Sequence, residues 1–361
     1  MDTAKEITKV RFAHRFNESS LADYLRVNIK GFSGKLKVRQ FEYGQSNPTF
    51  LLSAGGKSYV LRKKPPGKLL PSAHAVDREY RIIKTLEKTD VPVAEALLLC
   101  RDDSIIGTPF YVMEHVEGRI FRDVTASMAK SPEERSAIFD AMNDTLAKIH
   151  LVDWKALGLA DYGKPGNYMA RQVSRWKRQY EASKTDDIED MDSLIVWLEE
   201  NIPADDSATV VHGDLRLENL IIHPFEPRVM AVLDWELSTL GHPLSDLAYN
   251  CMQYYFPDSG SRLSGYKGLN LSELGIPEET DYVDDYCRRT GRSGIVDWEF
   301  FMAFSMFRIA GIVQGVYRRG LDGIASSDKA QSYGKYVPFF AGVACQIISK
   351  KGRTVSLNLP E

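Results

Sequence analysis

Between Lys35 and Lys64 three pieces, KLKVRQFEY, TFLLSA and KSYVLRKK, alternate polar and apolar residues, the period of two that sets one strand face against a core. Gly55-Gly56 separates the last two and suits a hairpin turn, so the pieces predict a three-stranded antiparallel sheet. An amphipathic stretch over 19–29 precedes them. After Pro65, Pro66 and Pro71 the period lengthens. In AHAVDREYRIIKTLEK, Ala75, Ile82, Ile83 and Leu86 share one helical face, and Glu79 falls on the same face. A carboxylate there needs a partner, because burying an unpaired charge is expensive.

Two more strand-like runs follow, AEALLLC and TPFYVMEHVEG, and Gly118 closes the second. Beyond it the pattern turns mostly helical. The first helix opens at Ser131 with SPEE, a capping-box pattern with Pro132 at the first helical position. Helices are expected at about 131–150, 167–183, 190–201, 243–255, 279–290, 297–319 and 328–350, with one strand-like island over 209–234. The change of character places a lobe boundary near Glu117 and Gly118, dividing 1–117 from 118–361. The fold class expected is α+β, with a small antiparallel-sheet N-terminal lobe carrying one main helix and a larger, mostly helical C-terminal lobe.

Composition narrows the function classes. The 361 residues are 43% hydrophobic and 26% charged, ordinary values for a chain that buries a core without metal or disulfide staples. A formal net charge of -3 argues against a polyanion-binding surface, so nucleic acid is not an expected partner. Cys100, Cys251, Cys287 and Cys345 are widely separated with no CxxC pair, which fits reduced thiols and a cytoplasmic location. The opening MDTAKEITKVRFAHRF has no apolar core of a signal peptide, and no uninterrupted apolar run approaches the roughly 18 residues of a membrane span. Neither export nor a membrane partner is expected, and Asn270-Leu-Ser272 reads as a chance sequon.

The chemistry concentrates in VVHGDLRLENL, where His212, Asp214, Arg216, Glu218 and Asn219 stand between two apolar runs. Asp234 follows at the end of VMAVLDW. Two carboxylates and an amide at the ends of short strands, gathered by a tight hairpin, suit Mg²⁺, which takes one or two protein oxygens together with phosphate oxygens and water.

HGDLRLEN resembles the catalytic loop HxDxxxxN of the protein-kinase-like superfamily, in the form used by aminoglycoside phosphotransferases and related small-molecule kinases, and LDWE resembles its metal-binding DFG segment. The likeness runs along nearly the whole chain. EYGQSNPTFLLSAGGKSYVLRKK looks like the nucleotide-positioning hairpin and third strand, Glu79 like the αC glutamate, FYVMEHVEG like the interlobe hinge, and PLSDLAY like the aspartate that braces the catalytic loop. VLRKKPPGKLLPSAHAVDREYR is similar to a subgroup that includes the kinase-like domain attached to some animal acyl-CoA dehydrogenases.

The resemblance implies a bilobal protein-kinase-like fold, with nucleotide binding in the first lobe and catalysis and substrate binding in the second. It implies ATP as co-substrate, Mg²⁺ held by Asn219 and Asp234, and Asp214 accepting or orienting the proton of a substrate hydroxyl. Arg216 stands where many kinases carry a lysine and is placed to steady the transferring group. Nucleotide contacts are implied for Gly44, Ser46 and Asn47 in the loop, for Val60, Arg62 and Glu79, and for Glu114 and Val116 in the hinge.

Two departures stand out. Arg62 replaces the lysine that pairs with the αC glutamate; it keeps the charge and can pair bidentately with Glu79, but its rigid fork is not an ammonium. Strand alternation points neighbouring Lys63 the other way. The glycine loop GxGxxG is replaced by Gly44, Gln45, Ser46 and Asn47, and Ser46 is equally well explained as a turn former.

Plainer roles compete at several positions. His212 is expected to pack beneath the loop as scaffolding, and Asp246 to brace it. Glu236 is expected to cap the next segment, against the alternative of touching a second metal. His150 has an adequate explanation as a helix C-terminal cation. Arg308, in an otherwise apolar helix, needs an anionic partner, either an internal carboxylate or a substrate. Asp281, Asp284 and Asp285 could suit a polycationic aminoglycoside, but they alternate with Arg288, Arg289 and Arg292, as on a solvated helix face. The acceptor expected is a small hydroxylated metabolite such as a hydroxy acid or hydroxyacyl compound, with a link to acyl-CoA metabolism. A catalytically weak nucleotide-binding regulatory or scaffolding module is the alternative.

Overall fold

In the computed structural model, which describes residues 7–42, 47–65, 75–259, 263–325, 329–349 and the backbone of 355–356, contacts divide the chain into two units: 1–145 with 216–238, and 146–215 with 239–361. This division differs from the change of character near Glu117 and Gly118. Arg119 exchanges both backbone hydrogen bonds with Ile222, at 2.7 and 2.8 Å, which ties the segment after Gly118 to residues 216–238.

In the first unit a six-stranded antiparallel sheet runs β1-β2-β3-β4-β6-β5. Its strands are β1 (Ile7–Thr8), β2 (Lys37–Phe41), β3 (Thr49–Ala54), β4 (Lys57–Lys63), β5 (Ala96–Cys100) and β6 (Phe110–Glu114). Gly55 and Gly56 carry φ of 56° and 77°, the double left-handed turn that matches strand twist in a tight hairpin. Alternation in β3 buries Phe50, Leu52 and Ala54, which join Leu21 and Leu25 of α1 (Glu18–Asn28) in one apolar cluster. α2 (Val76–Leu86) buries Val76, Glu79, Ile82, Ile83 and Leu86. β4 is covered on both sides: Tyr59 through Lys63 are all buried. Short elements such as β1 and α3 (Asp103–Ile106) lie outside those expected from sequence, because two to four residues carry no measurable period.

α4 (Pro132–His150) starts as expected, with Ser131 Oγ accepting from the Glu134 N–H at 3.2 Å. The reciprocal bond shifts by one residue, since Glu134 accepts from the Lys130 N–H at 2.5 Å and its other oxygen pairs with Arg119 at 2.9 Å.

The strand-like island resolves into two pairings. β7 (Thr209–Val211) lies in the second unit and pairs with β10 (Thr239–Gly241), whereas β8 (Leu220–Ile222) pairs with β9 (Val229–Val232) in the first. A short antiparallel pair, β11 (Gly294–Ile295) with β12 (Val355–Ser356), also lies in the second unit, and its helices are α5 (Tyr168–Ser183), α6 (Glu189–Glu200), α7 (Pro243–Cys251), α8 (Leu271–Leu274), α9 (Glu279–Thr290), α10 (Trp298–Leu321) and α11 (Tyr336–Ser349). α10 is long and apolar enough to match a membrane-crossing helix by composition alone, yet 72% of that stretch is buried within the protein. It packs against α5, α6, α7 and α11 as the unit's central helix. The single helix expected over 328–350 is instead a 3-10 turn at Ala330–Lys335 followed by α11. Pro338 explains the break: it lacks an N–H and its ring collides with the carbonyl four residues earlier, so it is tolerated only in a first turn.

Candidate active site

Strand alternation decides the first side chain of the site. On β4, Lys63 lies 5.9 Å from the centre of the Phe16 ring, while Arg62 points to the opposite face and meets α2. Arg62 Nε lies 3.1 Å from Glu79 Oε2 and Nη2 donates to Asp234 Oδ1 at 2.9 Å. The bidentate Arg62–Glu79 pair expected from sequence is therefore split between two carboxylates, which the fork of guanidinium donors permits. Glu79 is 1% exposed and also accepts from Asn47 Nδ2 at 2.6 Å and Tyr111 OH at 3.1 Å. Burial pushes its carboxyl above the ordinary value, against the opposing pull of Arg62, Tyr111 and Asn47. Burial also opposes the Arg62 charge, but Glu79, Tyr111, Asp234 and Glu236 outweigh it and hold the guanidinium firmly protonated.

Asp234 follows β9 with φ 64° and ψ 61°, a left-handed conformation that aspartate tolerates better than most side chains. The next residues hold it there. Trp235 is buried and its indole N–H donates to Val232 O at 3.1 Å, while Ser238 Oγ donates to Trp235 O at 2.7 Å. Asn219 ends a 3-10 turn at Leu217–Asn219, and its carbonyl accepts from the Leu233 N–H at 2.8 Å. The β8–β9 pairing thus sets the amide of Asn219 beside the chain that carries Asp234.

These residues open on a cavity of about 150 Å³ in the first unit. Phe41, Val60, Met113, Val116, Ile221 and Leu233 supply apolar walls; Arg62, Glu114, Asn219 and Asp234 supply polar ones. Gly118 also lines it, and a Cβ there would collide with Ile221 and with the carbonyl of Ile222. Of the residues expected to bind nucleotide, Val60, Arg62, Glu114 and Val116 line the cavity, whereas Glu79 and Asn47 sit behind Arg62. Gly44 and Ser46 lie outside the described residues. Arg216 ion-pairs with Glu218 at 2.7 Å.

In the second unit the loop leading to Asp214 is held by its backbone. Asp246 accepts from the N–H groups of His212 and Gly213 at 2.6 and 2.8 Å, and Asn250 Nδ2 donates to Leu215 O at 2.9 Å. His212 is fully buried and its Nδ1 accepts from the Asp214 N–H at 3.2 Å, a scaffolding arrangement. His150 stands behind the brace, with Nε2 3.3 Å from Asp246 and Nδ1 2.7 Å from Tyr286 OH. Burial would raise the Asp246 carboxyl, but His150 and the His212 amide bring it below the ordinary value. Arg308 corrects an expectation: its Nη2 donates to Gly213 O at 2.8 Å and its guanidinium lies 4.4 Å from the centre of the Tyr249 ring. Its described partners are a backbone carbonyl and aromatic faces rather than a carboxylate.

Sequence reasoning missed Tyr111, Asn250 and Tyr286. Tyr111 faces Arg62 across the β4–β6 ladder, and that neighbourhood depends on a register no local pattern specifies. Asn250, by contrast, stands four residues after Asp246 on α7, the helical spacing of one face.

A model of the phosphotransferase enzyme family matches residues 37–279. Over 352 residues the chain is 46% identical to acyl-CoA dehydrogenase family member 10 of Mus musculus, covering 97% of this chain and 33% of that protein. It spans between about a third and a half of the length of the curated relatives it matches. A solved structure from Ralstonia eutropha, named as a candidate aminoglycoside phosphotransferase, is 49% identical with a TM-score of 0.85, covering 93% of this chain and 99% of that one. An aminoglycoside phosphotransferase in ternary complex with ADP and hygromycin B superposes with a TM-score of 0.57 at 16% identity, covering 93% of this chain and 100% of that one. The protein shares with these structures the protein-kinase-like α+β fold.

Proposed function

The chain belongs to the phosphotransferase enzyme family, and on that premise we propose that it moves the γ-phosphoryl group of ATP, with Mg²⁺, to a hydroxyl of a small molecule. The observation that carries the proposal is the first unit's cavity, apolar along Val60, Met113 and Val116 and polar at Arg62, Asn219 and Asp234. An apolar slot suits a flat base, and a guanidinium with hard oxygen donors suits polyphosphate.

Phosphoryl transfer asks a protein mainly for alignment and charge neutralisation. Arg62, oriented by Glu79, supplies positive charge toward the phosphates. Asp214 accepts or orients the acceptor's hydroxyl proton, and Arg216 steadies the transferring group. The Asn219 amide oxygen and the Asp234 carboxylate would hold Mg²⁺, and Arg62 engages Oδ1 of that carboxylate, which leaves Oδ2 for a cation. Among the described residues no cluster of three His, Cys, Asp or Glu forms a metal site by itself; Mg²⁺ carried on a nucleotide needs only one or two protein oxygens. When bound, the ion neutralises charge on the phosphates.

For the acceptor we favour a hydroxy acid or hydroxyacyl compound over an aminoglycoside. The relatives named for acyl-CoA dehydrogenases support a connection with acyl-CoA metabolism, and on α9 Asp285 already pairs with Arg288. A second reading, a catalytically weak nucleotide-binding module, is favoured by the Arg62–Asp234 contact, which occupies one oxygen of the proposed metal ligand. Calorimetric titration with ATP, with and without Mg²⁺, alongside ATP turnover by wild type and Asp214→Ala, separates the two. Binding without turnover in either protein supports the module; turnover lost in Asp214→Ala supports the enzyme.

A further inference from the structure

The peptide that leads into Asp214 is held at both of its polar ends. Its carbonyl, on Gly213, accepts from Arg308 Nη2 at 2.8 Å, and its N–H, on Asp214, donates to His212 Nδ1 at 3.2 Å. A peptide unit is planar, so two bonds at opposite ends fix the whole plane. The Asp214 Cα, and the N–Cα axis about which its side chain turns, are fixed with it.

The clamp answers a problem set by the glycine. Gly213 has φ 85°, a conformation that glycine adopts without penalty, and the same freedom makes its flanking peptides easy to invert. Asp246 secures the peptide before Gly213 through the Gly213 N–H, and Asn250 secures the peptide after Leu215 through the Leu215 carbonyl. Neither touches the plane between Gly213 and Asp214; Arg308 and His212 do.

Arg308 is itself held as a rigid plate. On α10 its guanidinium lies 4.4 Å from the centre of the Tyr249 ring and 5.9 Å from that of Trp176. Gly311, one turn further along, admits the indole, since a Cβ there would stand 3.3 Å from a Trp176 ring carbon. Glycine inside a helix is unfavourable, and at this position it makes room for the ring beside Arg308. A lysine ammonium keeps the charge but lacks the planar face that stacks on aromatic rings.

We infer that Arg308 is a positioning residue: it holds the 213–214 peptide against inversion so that Asp214 presents its carboxylate in one direction. The inference rests on the proposed role of Asp214 in phosphoryl transfer. His212 alone leaves the carbonyl end free to swing.

The test combines hydrogen–deuterium exchange with Mg²⁺-dependent ATP hydrolysis, on the full chain, for wild type, Arg308→Lys, Arg308→Met and Arg308→Ala. The Asp214 amide is expected to exchange faster in all three variants, while the α10 amides and the unfolding midpoint stay near wild type. The kcat for ATP hydrolysis is expected to fall about 100-fold in Arg308→Met at unchanged KM, as for a small misplacement of a reacting group, and ethylguanidinium is expected to restore part of it in Arg308→Ala. Unchanged exchange at Asp214 overturns the inference, as does loss of protection along all of α10 or a change confined to KM. If wild type transfers phosphate neither to water nor to any acceptor of a hydroxylated panel, the proposed function fails, while exchange at Asp214 still decides what Arg308 holds.

Discussion

Arg62 and Asp234 stand 172 positions apart in the chain and 2.9 Å apart in space. β4 brings the guanidinium, the turn after β9 brings the carboxylate, and Glu79 on α2 meets Nε at 3.1 Å. One cation therefore joins three elements of the first unit around the cavity, in a pairing with 10% exposure at Arg62 and 1% at Glu79.

Removing that cation leaves Glu79 buried without its charge partner. Arg62→Met is expected to lower the free energy of unfolding by about 3–5 kcal/mol, with Arg62→Lys losing less. Arg62→Met combined with Glu79→Gln should cost less than the sum of the two single changes, because they share one interaction. Urea unfolding of wild type and the four variants measures this; additive losses, or a loss below about 1 kcal/mol as for a surface pair, contradict a buried pair.

Asp234→Asn keeps the shape of the turn and removes the charge. Mg²⁺-supported binding of ATP is expected to weaken by at least about 10-fold, the scale seen when a metal site is perturbed, while binding without Mg²⁺ changes little. Calorimetry with and without the ion reads the difference. Equal weakening under both conditions would assign Asp234 to orienting Arg62 alone.

Two glycines make a matched pair. Gly118→Ala drives a Cβ into Ile221 and the Ile222 carbonyl, which is expected to cost about 1–3 kcal/mol as overpacking and to weaken nucleotide binding, since Gly118 lines the cavity. Gly315→Ala, inside α10 with only an Arg319 nitrogen at 3.6 Å, should be neutral or stabilise by up to about 1 kcal/mol. Thermal unfolding of both variants checks the contrast.

Much of this arrangement was legible in the sequence, and the gaps have physical causes. Alternation in VLRKK correctly sent Arg62 and Lys63 to opposite faces, and the helical period placed Glu79 on the buried face of α2. HGDLRLEN and LDWE carried the fold through their likeness to a known family. What a local period cannot express is pairing between distant strands: the Arg62↔Tyr111 neighbours and the β7–β10 ladder depend on register across long separations. The partner of Arg308 was hidden because it is a backbone carbonyl, and every residue has one. The start of α11 was readable and missed, since Pro338 rules out a helix that begins ten residues earlier.

His242 predicts how stability responds to acid. It is 1% exposed, its Nδ1 accepts from the Leu244 N–H at 3.2 Å as the cap of α7, and Nε2 lies 3.3 Å from Asp205. Burial lowers it from 6.5 to about 4, outweighing the opposing pull of Asp205. A group whose folded value is depressed contributes stability that is present above its unfolded value and lost as pH falls. Stability should therefore decline from about pH 6.5 toward pH 4, with His242 accounting for roughly 3 kcal/mol at 1.36 kcal/mol per pH unit; protonation also removes the acceptor that caps α7. His242→Asn keeps a capping acceptor without titrating, and its stability should fall less steeply over that range. Parallel profiles for the two proteins would contradict the assignment.

Phosphoryl transfer to a small hydroxylated molecule through Asp214 leaves the γ-phosphoryl group on an organic acceptor. Its most direct measurement follows γ-labelled phosphate from ATP, with Mg²⁺, into a panel of aminoglycosides, choline, homoserine, hydroxy acids and hydroxyacyl-CoA compounds, for wild type and Asp214→Ala. Label is expected in an organic phosphate with wild type, with a loss of at least about 100-fold in the variant. Equal transfer by both proteins, or none by wild type across the panel, would contradict it.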